Sequence, residues 1–422
     1  MSTREEIAWL VRRAGWGIGP GRLDELVAIG TDAVVDAMID PDSAGIAPSR
    51  PPFADFVDHG RESRREDSQD ALGMWLDHLA GTERPFEDAI AWFWHDHFAV
   101  SIQVVQHLPA MIAHLELLRT TGMGSFPDLI RAVTTDAAML VFLDGATSTG
   151  EAPNENYGRE LLELYTLGVG NYTEADVQAG ARAMTGWVVR RRLGWTVELI
   201  ARRHDDTPQT FLGVSGVHDV DTVIDATLAH PAVPGHIAGK VARRLLGPTV
   251  DSGVIDAAAD AFSGADLEVA PMARSVLEAG LDGAGGPLVL EPVPWLLQAE
   301  KATGAEPPVR ARIGMLRAMG QVPGAPPNVG GFPGVSTWLS SSSTAARFTS
   351  AGLIAAETPE DSVALDAASR RDWGELADLL LRPDGFGSAT LAALDELSAD
   401  ASRRPGEAHL ALALASPDLL IA

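Results

Sequence analysis

The stretch Ala152-Pro153-Asn154-Glu155-Asn156-Tyr157-Gly158-Arg159-Glu160-Leu161-Leu162-Glu163-Leu164-Tyr165 decides how the chain is read. Asn154 suits a helix N-cap, and Glu155 falls in the first turn, where the helix dipole favours negative charge. Beyond it, Glu155, Asn156, Arg159, Glu160 and Glu163 share one face, and Tyr157, Leu161, Leu164 and Tyr165 share the other. That spacing predicts an amphipathic helix running to Leu167. The same spacing recurs outward, over 85–100, 109–120, 126–143 and 174–185, so residues 67–186 read as consecutive helices. The expected fold class is mainly α, a large multi-helix globular domain.

The helical pattern breaks at Trp187, where β-branched residues stand on either side of Leu193-Gly194. One small β-hairpin insertion is expected there, at about 187–203. Helices resume from 219 to about 319; a Gly/Pro loop occupies 321–334 and a further helix lies near 342–356. After Thr358, Ala/Leu-rich segments alternate with acidic turns, which suggests a C-terminal helical subdomain. The organisation expected is an N-terminal helical segment and loop (1–66), a helical core domain (67–356) and the C-terminal subdomain (357–422).

Charge and composition narrow the function classes. Among 422 residues, 32 Lys and Arg face 58 Asp and Glu, a formal charge of −26 spread along the chain. Such a field repels phosphate backbones and anionic lipid, so neither nucleic acid nor a membrane surface is an expected partner. The absence of cysteine removes thiolate metal sites, disulfides and Cys nucleophiles. No run approaches the roughly 18 apolar residues of a spanning helix, and Met1-Ser2-Thr3-Arg4-Glu5-Glu6 lacks a leader pattern, which points to a cytoplasmic protein. Gly-x-Gly-x-x-Gly, Walker A, His-Glu-x-x-His and Gly-x-Ser-x-Gly motifs are missing.

Three polar clusters could carry chemistry. In Trp92-Phe93-Trp94-His95-Asp96-His97-Phe98 two imidazoles flank a carboxylate. On a helix, however, residues two apart point about 200° apart, so core histidines compete with metal ligands as the reading. In the 155–167 helix, Glu160 and Glu163 at i and i+3 can present two carboxylates in one direction, as metal sites and acid/base pairs require; the competing reading is a solvated face. In Arg202-Arg203-His204-Asp205-Asp206, a His beside a carboxylate leaves the hairpin, as a general base with its orienting partner would, and as an ordinary polar turn would.

Taken together, several segments resemble a bacterial family known as domain of unknown function 1800. They are Arg12-Arg13-Ala14-Gly15-Trp16-Gly17, Phe93 to Phe98, Leu143-Asp144-Gly145-Ala146, Pro153 to Leu164, Thr185-Gly186-Trp187, His204-Asp205 with Thr210-Phe211-Leu212-Gly213, and Pro326-Pro327-Asn328-Val329-Gly330-Gly331-Phe332-Pro333-Gly334. The resemblance covers about 8–350 and leaves the tail outside it. It implies one large helical domain and, as a partner, a co-expressed protein resembling alkaline-phosphatase-type hydrolases.

Two functions are expected from these readings. One is a hydrolytic or metal-assisted enzyme acting on a polar substrate. His204, Asp205, Glu160 and Glu163 would be its catalytic groups; Asn154, Asn156, Arg159 and Asn328 would hold substrate; and His97, His204 and Glu160 would bind a divalent metal. The loop from Asn328 to Gly334 would cover that site. The other is a non-catalytic partner or chaperone of a co-expressed enzyme, its polar motifs forming buried networks.

Overall fold

The helix Pro85–His97 shows why this chain folds as it does. Pro85 takes the first helical position, where its missing N–H costs nothing, and Glu87 and Asp88 occupy the first turn. Its apolar residues then run nearly all round. Phe93 and Trp94 enter one hydrophobic core with Phe126, Leu161, Tyr165 and Ile237. Trp92 enters a second, with Trp75, Trp295, Leu297, Phe332 and Leu410. The helix therefore lies at the seam of two cores. This computed structural model describes residues 1–60, 63–398 and 404–422.

The fold is mainly α, as the spacing implies, with two small antiparallel hairpins. The expected hairpin pairs Trp187–Arg190 with Thr196–Leu199, Trp187 opposite Leu199. A second, unexpected hairpin pairs Gln209–Phe211 with Val214–Val217. Leu212 and Gly213 both have positive φ, 51° and 79°, the geometry of a two-residue hairpin turn whose twist matches its strands. Leu212 is held there by its N–H, which donates to Asp176 Oδ1 at 2.7 Å.

The C-terminal helices are woven into the body. Glu407–Ala415 packs on Ser341–Glu357, and Leu288 and Ala422 exchange backbone hydrogen bonds of 3.2 and 2.8 Å. Arg12 donates to the carbonyls of Asp418 and Ile421.

The 155–167 helix differs from expectation in one respect. It is α-helical over Glu155–Glu160 and widens to a π-helix over Leu161–Thr166. Asn154 caps it, accepting from the Asn156 N–H at 2.8 Å. Gly168, at φ +82°, then ends it, donating to the Leu162 carbonyl. π-Turns of this kind are rare and concentrate at functional sites.

Candidate active site

The last carbonyls of a helix have no partner within it and carry partial negative charge. Here side chains of two other helices meet them. The Leu164 carbonyl accepts from Lys240 Nζ at 2.8 Å and from His236 Nε2 at 3.1 Å. The Tyr165 carbonyl accepts from His97 Nε2 at 3.1 Å. Lys240 also donates to His97 Nδ1 at 3.3 Å. Lys240 and His236 come from the helix Ala232–Leu246, and His97 ends Pro85–His97.

His95 and His97 diverge, as helix geometry requires. His95 sits among Trp75, Trp92 and Phe332, where its Nε2 accepts from the Gly324 N–H at 3.1 Å. His97 packs on Phe93, Phe98 and Tyr165. Burial keeps both neutral, drawing His95 down to about 3 and His97 well below the usual imidazole range. Both nitrogens of His97 are engaged by protein groups, so neither offers a free lone pair to a metal.

Asp96 lies between them, facing the Gly-rich loop. Its Oδ1 accepts from the Phe332 N–H at 2.6 Å. Gly331, at φ +90°, passes so close that a Cβ there would lie 2.3 Å from Asp96 Oδ1. Burial, reinforced by the charge of Glu291, pushes the Asp96 carboxyl up to about 6, against the Phe332 N–H, Arg244 and Lys240. Burial likewise draws the Lys240 amine down to about 8, against Asp96. Glu291 accepts from Trp92 Nε1 and Gln321 Nε2, each at 2.8 Å, and pairs with Arg244. Asp96 and Lys240 both remain part-exposed.

Apart from His97, the residues singled out from the sequence occupy three separate places. Glu160 and Glu163 stay on the polar helix face, where Tyr172 donates to Glu163 Oε2 at 2.7 Å and burial, then Glu163, raises Glu160. Arg159 is held by Glu174 at 2.6 Å and Glu155 at 3.3 Å. Asn154 serves as the cap, and Asn156 stands exposed beside it. His204 Nδ1 donates to the Thr185 carbonyl at 2.9 Å, at a cavity of about 520 Å³ that it shares with Arg131 and Asp219. Asp205 turns to the Thr207 N–H of its own loop at 3.1 Å. Asn328 Oδ1 accepts from Gly330 within the loop. Among the described residues no hydrogen bond or ion pair joins these three groups, and no three His, Asp or Glu are arranged to hold a metal ion.

The sequence marks Asp96 only as the carboxylate between two imidazoles, with no role of its own, and assigns none to Lys240, Arg244, Glu291 or Gln321. One signal could have found Lys240: the chain contains two lysines, Lys240 and Lys301, against thirty arginines. A buried lysine amine, unlike a guanidinium, can lose its proton near neutral pH, which makes each lysine of this chain worth inspecting. Lys301 is also buried and drawn down to about 8.

No curated protein and no solved structure matches the chain. The model of the protein of unknown function (DUF1800) family matches residues 9–421, so the match continues through the C-terminal helices, past the last motif quoted for the resemblance. With nearly its whole length matched, the chain belongs to the DUF1800 family.

Proposed function

We propose that this protein is a hydrolytic enzyme acting on a polar substrate by proton transfer, with Asp96 as general base and Lys240 as general acid. One observation carries the reading: a carboxyl raised to about 6 and an amine lowered to about 8 act on each other at one part-exposed place. Opposed shifts toward neutrality are what acid–base pairs require and what a merely structural ion pair opposes. Between those values Asp96 is ionised and Lys240 protonated. Asp96 then takes a proton from water as it attacks, and Lys240 delivers one to the leaving group. Arg244, held by Glu291, stands beside them as an anchor for an anionic substrate group. The separate positions of His204, Asp205, Glu160 and Glu163 give a single metal-assisted centre built from those residues less support.

The test is a panel of chromogenic esters, phosphoesters and glycosides assayed from pH 5 to 9. A turned-over substrate should give a bell-shaped profile with limbs near 6 and 8, lost in both Asp96→Asn and Lys240→Met while each variant melts cooperatively. Turnover that survives in both refutes the assignment. Unfolding of both variants, with no turnover by the wild type, favours the other reading, a non-catalytic partner of a co-expressed hydrolase-like protein.

A further inference from the structure

A different part of the molecule carries an independent inference. Between the helices Arg64–Gly81 and Leu108–Thr121 lies a groove of about 590 Å³, within the roughly 300–1,000 Å³ typical of small-molecule sites. Phe53, Leu72, Trp75, Leu108, Met111 and Leu115 line it, and loop residues 322–325 and 327 form one wall. Its lining is predominantly apolar, with Ser68 and Gln103 among the few polar groups.

The charge lies at one end. A second cavity shares Ser68, Leu72 and Arg317 with the groove and adds Arg64, Arg65 and Gln69. In a chain of net charge −26, this cavity is lined by three arginines and, among the described residues, by no carboxylate. Arg312, five residues before Arg317 on the same helix, pairs with Asp77 and Glu300, whereas among the described residues no carboxylate lies within ion-pair distance of Arg64, Arg65 or Arg317. The wall disfavours a peptide occupant, because Pro323, Pro327 and Pro333 supply no N–H to pair with an added strand.

We infer that this groove binds an anionic amphiphile, a single alkyl chain lying along the apolar walls with its carboxylate, sulfate or phosphate head at Arg64, Arg65 and Arg317. Alkyl burial supplies the affinity and the arginine mouth selects the sign of the head. The inference does not depend on the Asp96–Lys240 reading.

Calorimetric titration of the full chain with dodecanoate, dodecanol and dodecyltrimethylammonium, each below its micellar concentration, tests it. Dodecanoate should bind at one site, about tenfold or more tighter than the cation. The double variant Arg65→Glu/Arg317→Glu should lose that preference yet keep dodecanol binding. Leu72→Trp should weaken all three with its thermal melt unchanged. Equal binding of anion and cation by the wild type, or dodecanoate affinity unchanged by the charge reversal, overturns the inference. So does a wild-type dimer in sedimentation that Leu72→Trp dissociates, since the groove would then be an interface between copies.

Discussion

If Asp96 is kept ionised for catalysis, its removal should stabilise the protein at neutral pH. The carboxyl sits about two units above its ordinary value of 3.8, and each unit corresponds to about 1.4 kcal/mol. The upper bound is therefore about 3 kcal/mol, and relaxation around the site lowers it to about 1–3 kcal/mol. Asn is nearly isosteric, and its carbonyl oxygen can still accept from the Phe332 N–H. The sign follows from linkage. A carboxyl raised in the folded state favours folding while it is protonated, below about 4, and that contribution is lost as pH rises through about 6. Asp96→Asn should then match the wild type in urea unfolding near pH 3.5, draw ahead through pH 5–6, and hold its full advantage at pH 7. Lys240 mirrors this: its lowered value favours folding above its unfolded range and loses that contribution as pH falls through about 8. An Asp96→Asn protein less stable than the wild type at pH 7 would refute the reasoning, because the ionised carboxylate would then be held by its neighbours as part of the scaffold.

Further outcomes follow from the same geometry. Gly331→Ala forces a Cβ to within 2.3 Å of Asp96 Oδ1 at φ +90°, so the loop lifts away or strains, at a cost of about 3 kcal/mol or more in chemical denaturation. Gly330→Ala, with 3.1 Å to Asn328 Oδ1 and no positive φ, should cost about 1 kcal/mol or less and serves as the control. Asp176→Ala removes the acceptor for Leu212 N–H and for Thr173 at the cap of Glu174–Ala183. It should lower stability by about 2–3 kcal/mol by thermal unfolding. Phe126→Ala, at a fully buried ring stacked on Trp94, should cost about 3–5 kcal/mol in the same assay.

The helices were legible because their signal is local: a cap, a charged first turn and an apolar stripe lie within a dozen residues. The second hairpin was not, because Leu212 supports a positive φ only with Asp176, from a helix 36 residues earlier, holding its N–H. The site divides on the same line. The helix period could show that His95 and His97 diverge, and the structure sends them into different cores. It could not show that a widened last turn of the 155–167 helix turns two carbonyls toward Lys240, His236 and His97, since 143 residues separate His97 from Lys240. Glu160 and Glu163 attracted notice through their spacing, whereas Asp96 and Glu291 act on each other only after folding has brought them together out of bulk water. A carboxylate's chemistry depends on what desolvates it, and desolvation is a tertiary property.

The loop at 321–334 connects the two parts of the molecule for which function is proposed. At its start Gln321 bridges Glu291 and the Val293 N–H, and Gly324 donates to His95. Its middle, with Val322, Pro323, Ala325 and Pro327, walls the groove. Its end lays Gly331 and Phe332 over Asp96, with Phe332 stacked on Trp92 at 6.0 Å. Prolines that fix φ make the middle stiff, and Gly330-Gly331 lets the end pass where a side chain cannot. Burial is the first cause of the raised Asp96 carboxyl, and at Gly331 this loop passes directly against that carboxyl. A ligand pressing on the groove wall therefore bears on the same segment whose Phe332 N–H donates to the carboxyl of the proposed base.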